Sequence, residues 1–214
     1  RDARLAGKHV IVTAGPTHEP IDPVRVIANR SSGKQGFAIA GALGALGARV
    51  TLVAGPVQLD TPAVVDRIDV ETAREMAAAV DAALPADAAV LVAAVADWRV
   101  EPAARKIKKD GAGPPSLTLV ENPDILAELA RSPRRPRLLV GFAAETDDVV
   151  ANARAKRKRK GADWILANDG SGDVMGGSDN RVHLVDANGE EEWETMSKDE
   201  VARRLAQRIA DAIG

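Results

Sequence analysis

Asn29, Arg30, Ser31, Ser32, Gly33 and Lys34 stand in a row, an amide, a guanidinium, two hydroxyls and an ammonium around one glycine. All are donors suited to an anion, and a helical run begins directly behind them. Free N–H groups and the positive end of a helix dipole collect at such a point, so a phosphate is its natural occupant. The row ends a longer polar stretch, residues 15–36 (GPTHEPIDPVRVIANRSSGKQG). Its Pro16, Pro20 and Pro23 fix φ and deny it a helix of its own, so the stretch is expected to be held in place. A loop of roughly twenty residues in a compact domain points to function. The plain alternative is a Ser/Gly helix cap among ordinary surface polars.

Neither standard phosphate fingerprint is present. A Walker A loop needs Ser or Thr after Gly33-Lys34 and a glycine five positions before Gly33; Gln35 and Ala28 stand there. A dinucleotide fingerprint needs other glycine spacing and an acidic residue after the next strand, which ends instead in Gly55-Pro56. Further cations lie at Lys106, Lys108 and Lys109, and at Lys156 and Lys160, four apart on one helix face and expected to point toward the start of the following strand. Much of the charge around residues 145–160 also suits the dipole of one helix, acidic at its start and basic at its end. No Ser/His/Asp set and no paired histidine are visible. Cations and fixed amides with scattered carboxylates suit phosphoryl or nucleotidyl transfer, where positioning and charge stabilisation do most of the catalysis.

The elements that must position these groups alternate. Strands are expected near residues 8–13, 49–54, 88–94, 137–142 and 163–167, with helices near 34–46, 72–83, 122–132 and 147–160. Thr72 and Glu75 form a capping box, Gly47 stops the first helix, and Asn122 caps the third with Pro123 at its first position. Gly41, Gly44 and Gly47 recur every third residue, a spacing for close approach of that helix to the sheet. Residues 97–119 break the rhythm as two extended arms around a basic tip, a flap in which Lys106 and Lys108 face one side and Ile107 the other. A glycine-rich loop at 170–177 precedes a hairpin over 181–195 and a closing helix capped by Ser197 with Glu200. The fold class is α/β: a Rossmann-like, doubly wound, mostly parallel sheet with helices on both faces, a basic flap and a C-terminal β-hairpin, all in one domain over 1–214. Ligands bind outside the C-terminal strand ends of such a sheet, here residues 15–36, Asp97, Phe142, and Asn168 with Asp169.

Composition narrows the classes. The 214 residues contain no cysteine, which excludes disulfides and thiol catalysis, and three histidines without metal spacing argue against a dedicated zinc site. A net charge of -2 and 2% aromatic residues argue against nucleic acid as a partner. The apolar runs are too short for a membrane span and no signal pattern opens the chain. Arg1 in place of a start methionine is read as the start of an excised piece of a longer protein. By themselves the residues describe an enzyme acting on a nucleotide or a phosphorylated metabolite. An NAD(P) oxidoreductase and a non-catalytic nucleotide-binding module stand as the rival classes.

Six stretches go further. GPTHEPIDPVRVIANRSSGKQG, AAVADWR, KIKK, ENPDIL, VGFAAET and AKRKRKGADWILAND, in this order, resemble the motifs of the phosphopantothenate–cysteine ligase (phosphopantothenoylcysteine synthetase) family of coenzyme A biosynthesis. The resemblance implies a cytoplasmic, homodimeric ligase that uses CTP with Mg²⁺ to join 4′-phosphopantothenate and L-cysteine through an acyl-cytidylate. It also implies fusion, in the full protein, to a flavin-dependent decarboxylase, with no flavin in this portion. By the same resemblance Asn29 and Lys106 are catalytic, and Asn29, Arg30, Ser31, Ser32 and Gly33 receive phosphopantothenate. Asp97, Phe142 and the turn of Asn122, Pro123, Asp124 and Ile125 hold the nucleotide, with Lys106, Lys156 and Lys160 on its phosphates. The metal ligands stay unassigned. Arg105 departs from the pattern, since many relatives carry an acidic residue before KIKK.

Overall fold

The β-branched and alanine-rich runs become strands buried on both faces, as parallel strands must be when helices cover both sides. In the computed structural model, which describes residues 3–169 and 179–214, the chain opens with β1 (His9–Ala14), then β2 (His18–Pro20), β3 (Val26–Ala28) and α1 (Lys34–Ala45). It continues through β4 (Arg49–Ala54), β5 (Val65–Asp69), α2 (Ala73–Ala83) and β6 (Ala88–Leu91). A short ribbon of β7 (Trp98–Arg99) and β8 (Val120–Glu121) leads to α3 (Ile125–Arg131), β9 (Leu138–Glu145), α4 (Val149–Lys160) and β10 (Trp164–Asp169). β11 (Asp179–Val185), β12 (Glu190–Ser197) and α5 (Lys198–Ile213) close the chain.

The main sheet is eight-stranded in the order β12-β11-β10-β9-β6-β1-β4-β5. β5 through β10 along that order are mutually parallel, and β11 and β12 add an antiparallel hairpin at one edge. Strand order reverses at β1, whose neighbours are β4 and β6, and that reversal opens a crevice at the C-terminal strand ends. Period-2 alternation divides each strand between two cores. Val10, Val12, Val50 and Leu52 pack under α1 and α5 with Leu43, Leu205 and Ile209. Ile11, Val53, Leu139 and Ile165 pack under α2, α3 and α4 with Met76, Leu126 and Ala153. Both capping boxes form as expected, Thr72 with Glu75 and Ser197 with Glu200.

Several expectations change. Residues 15–36 contain an antiparallel pair, β2 with β3, in which Pro20 sits opposite Val26 in a two-stranded sheet that tolerates a missing donor. The strand at 65–69 was not expected, because Val65-Asp66-Arg67-Ile68-Asp69 is a half-exposed, charged edge that pairs only with β4. The strand expected to reach residue 94 ends at Leu91, although Val92 and Ala94 still donate to Thr13 O and Gly15 O of the chain leaving β1. Gly41 and Gly44 face mainly Pro62, Ala63 and Val64 of the β4–β5 connection, with only Val65 at the start of β5 reached from the sheet. The close helix–sheet approach is at Gly36, where an added Cβ would lie 2.4 Å from Ala14 Cβ and 3.1 Å from its Cα. The glycine-rich 170–177 stretch lies outside the described residues.

Gly36→Ala is therefore expected to push α1 off β1 and lower the unfolding free energy by about 1–3 kcal/mol, the usual cost of overpacking. Urea denaturation measures it, and an unchanged midpoint would mean that α1 shifts without cost.

Candidate active site

Residues 13–17 cross the sheet's C-terminal edge and hold it together. Gly55 N–H donates to Ala14 O, Thr17 N–H to Ala94 O, and the Thr17 hydroxyl accepts Ala96 N–H at 3.0 Å. Beyond the crossing, His18 N–H donates to Glu71 O, and the buried Glu19 carboxylate accepts Ala73 N–H at the start of α2. The β2–β3 ribbon is thus pinned at its base, and the chain returns from it at Asn29.

Over β1, β6 and β9 the edge opens into a cleft of about 460 Å³. Thr13, Leu91 and Phe142 line its floor; Val95, Ala96, Asp97 and Trp98 form one wall, and residues 121–126 another. Lys156 and Lys160 enter from α4. Asp97, Asn122, Pro123, Asp124, Ile125, Phe142, Lys156 and Lys160, eight positions named from the sequence, thus line one cavity. The two lysines turn into this cleft rather than toward the start of β10.

Asn122 does not cap α3. Its N–H donates to Asp97 O, its side-chain amide donates to Ala96 O at 2.8 Å, and its Oδ1 accepts from the Arg99 guanidinium. The amide is consumed in bracing the two walls, and the cap falls to Asp124, whose carboxylate accepts Ala127 N–H at 3.1 Å. Sequence reasoning saw Asn-Pro and placed the helix two residues early. Arg99, which also donates to Glu121 O at 2.6 Å, was missed as a brace because a lone arginine gives no pattern.

The cleft's cations are not idle. Lys160 pairs with Asp124. Burial works against the Asp124 carboxylate, yet the Lys160 ammonium and the Ala127 N–H outweigh it and hold its pKa below the ordinary 3.8. Lys156 donates to Phe142 O at 2.6 Å. Burial lowers its pKa from the usual 10.5, and the neighbouring Lys160 charge lowers it further.

The remaining named residues lie along the loop and flap. Asn29 is exposed, and its amide donates to Val95 O at 3.0 Å, which sets it at the cleft wall. Arg30 is exposed; the hydroxyls of Ser31 and Ser32 accept the N–H groups of Gly33 and Lys34, and Gly33 itself, with φ 77°, precedes α1 without a side-chain cap. Lys106 is exposed and stands outside the cleft lining, on the flap. Ile107 beside it is half-buried and its N–H bonds to Asp22 in the 21–25 turn, while Lys108 is exposed; the expected extended arm is not a strand here. A shallower groove of about 640 Å³ between α1, residues 59–62 and the start of α5 contains Lys34 but none of the residues named for the nucleotide. Among the described residues no group of three or more His, Asp or Glu gathers as for a metal, and no helix is long and apolar enough to cross a membrane.

Comparison with known proteins places this geometry. The model of the DNA/pantothenate metabolism flavoprotein C-terminal domain matches residues 5–213. The coenzyme A biosynthesis bifunctional protein CoaBC of Haemophilus influenzae is 46% identical over 210 residues, 97% of this chain and 52% of that protein. Its counterpart in Escherichia coli strain K12 is 46% identical over 207 residues, 94% of this chain and 51% of that protein. This chain therefore spans about half the length of these relatives. The crystal structure of the C-terminal domain of a CoaBC superposes with a TM-score of 0.84 at 37% identity, covering 99% of this chain and 98% of that one. By the near-complete family match and by relatives at this identity, the chain belongs to the DNA/pantothenate metabolism flavoprotein C-terminal domain family.

Proposed function

We propose that this chain is the phosphopantothenate–cysteine ligase of coenzyme A biosynthesis, using CTP. One observation carries the reading: a single cleft at the sheet's reversal point brings together two lysines, the Asp97 and Asp124 carboxylates and the Asn122 to Ile125 turn, with Asn29 at its wall. The relatives' name, coenzyme A biosynthesis bifunctional protein, supports the pathway.

The reaction divides into two displacements. A carboxylate oxygen of 4′-phosphopantothenate attacks the α-phosphorus of CTP, the bond to pyrophosphate breaks, and an acyl-cytidylate forms. The amine of L-cysteine then attacks the acyl carbon, loses a proton, and CMP leaves. Lys156 and Lys160 neutralise the triphosphate, each exchanging an internal partner for phosphate oxygens, and Lys106 adds its charge from the flap. Asn29 Nδ2 carries two hydrogens and Val95 O takes one, leaving the other for the acyl-phosphate oxygen or the oxyanion of the second step. Carboxylate and backbone acceptors around Asp97 and Asn122 read the cytosine amino group. Mg²⁺ would ride on the phosphates and supply charge neutralisation there. The dispersed carboxylates fit that arrangement better than a protein cage.

A homodimer is part of the proposal, since Val24, Val26, Trp98, Leu117, Leu119 and Val120 are exposed apolar side chains concentrated on the β2–β3 ribbon and the flap. On the resemblance alone, the enzyme is cytoplasmic, and a flavin-dependent decarboxylase occupies another part of the full-length protein.

Pyrophosphate release from CTP, Mg²⁺ and 4′-phosphopantothenate, with and without L-cysteine and beside ATP, is the first test. Release that requires phosphopantothenate and turns over with cysteine is expected. Preference for ATP would overturn the cytosine assignment, and no release with either nucleotide would leave a binding module. Lys106→Gln is expected to abolish turnover with an unchanged circular dichroism spectrum; full activity would remove Lys106 from the mechanism. For Asn29→Asp, single-turnover traces should show acyl-cytidylate formed slowly or left undischarged, and wild-type traces for both steps would exclude its role.

A further inference from the structure

The flap has no regular secondary structure between β7 and β8, yet one carboxylate grips it. Asp22 lies in the turn between β2 and β3 and is only 3% exposed, a poor place for a carboxylate without a task. Its two oxygens divide the work. Oδ1 accepts Val24 N–H at 2.8 Å and Arg25 N–H at 2.7 Å, which closes the turn. Oδ2 accepts Ile107 N–H at 3.0 Å and the Arg25 guanidinium at 2.5 Å. The same guanidinium donates to Ile107 O at 3.2 Å, so Ile107 is held through both its N–H and its carbonyl. Ala103 N–H adds a bond to Ile21 O at 2.8 Å. The Ile107 N–H contributes most to holding the Asp22 carboxyl far below the usual carboxylate range, against the opposing effect of burial, with the turn N–H groups and Arg25 adding to it. A depressed carboxyl stabilises the folded form above its unfolded pKa and loses that effect only as pH falls through the folded value, so the contact stays charged at any neutral pH.

Resting on the ligase reading, we propose that Asp22 is a positioning residue: it latches the flap to the turn below Asn29 and so fixes which way Lys106 faces. Holding Ile107 at both its N–H and its carbonyl fixes the backbone directly beside Lys106, which is exposed with Lys108 while Ile107 is half-buried. The turn that holds the flap continues through β3 directly into Asn29. One carboxylate thereby makes the flap lysine and the loop asparagine parts of a single body, although they are far apart in sequence.

Asp22→Asn separates this role from simple folding. The amide oxygen can still accept the Val24 and Arg25 N–H groups and keep the turn, while the amide nitrogen would face two donors, Ile107 N–H and the Arg25 guanidinium. Hydrogen exchange followed by mass spectrometry on the whole chain is the decisive measurement, with pyrophosphate release kinetics beside it. In Asp22→Asn, exchange across residues 103–109 is expected to rise about tenfold or more while strands β1 and β4 keep wild-type protection. kcat is expected to fall by about tenfold to a hundredfold, the scale set by a misplaced catalytic group, with KM for phosphopantothenate within about twofold. Unchanged exchange at 103–109 would overturn the latch. Equal loss of protection in the central strands would reduce Asp22 to a structural residue, and a loosened flap with wild-type kcat would overturn its positioning role. If the wild-type protein releases no pyrophosphate, the ligase reading fails alone, and the exchange arm still decides whether the latch exists.

Discussion

At the C-terminal edge of the sheet the chain leaving β1 passes so close to the end of β4 that a Cβ on Gly55 would lie 1.6 Å from Pro16 O. Backbone meets backbone there, with Gly55 N–H on Ala14 O and the Pro16–Ala94 bridge on the other side. Nothing but glycine fits, and the hydrogen bonds leave no slack. Because residues 14–17 are clamped across the edge, the β2–β3 ribbon starts from a fixed point. Asn29 and the helix of α1 then return to fixed points in turn. The cleft, the flap contact and the cap of α3 all take their positions from that crossing.

The electrostatics of the cleft follow from a second constraint, that charge drawn partly out of water takes a partner. Lys160 leans on Asp124, Lys156 on the Phe142 carbonyl, and Asn122 spans the walls. Each group is satisfied internally yet lies within reach of the cavity. Such a site can exchange internal partners for phosphate oxygens without first exposing a bare charge. The same rule holds at Asp22, at the other end of the machinery: this nearly buried carboxylate accepts four hydrogen bonds and lies outside the cleft lining.

Much of the scaffold was legible because it follows local rules. Thr72 with Glu75 and Ser197 with Glu200 are reciprocal caps written within four residues, and the buried strands are apolar runs of the right length. The misreadings fall where a local preference met a distant competitor. Asn122 has the composition of a helix cap, but Ala96 and Arg99 claim its amide from across the cleft, and Asp124 takes the cap. The glycines of α1 are spaced for packing, but the position pressed against β1 is Gly36, one turn earlier. β5 carries three charges in five residues, Asp66, Arg67 and Asp69, because it is an edge, and a charged edge does not read as a strand.

What the sequence determined by itself is the alternation of strand and helix, the two-sided core, the donor-rich row from Asn29 to Lys34 and the supply of cations, since these depend on residue type and near-neighbour spacing. Only the tertiary structure decided which of those groups share a cavity. Lys156 and Lys160 meet Asp97 and Asn122 because the sheet's reversal brings β1, β6 and β9 side by side, while Lys106 stays on a flap whose Ile107 N–H is held by Asp22. The bond between Asp22 and Ile107 joins residues 85 positions apart. No periodicity or cap signals a contact at that range, because its partner is a backbone N–H, which every residue but proline carries.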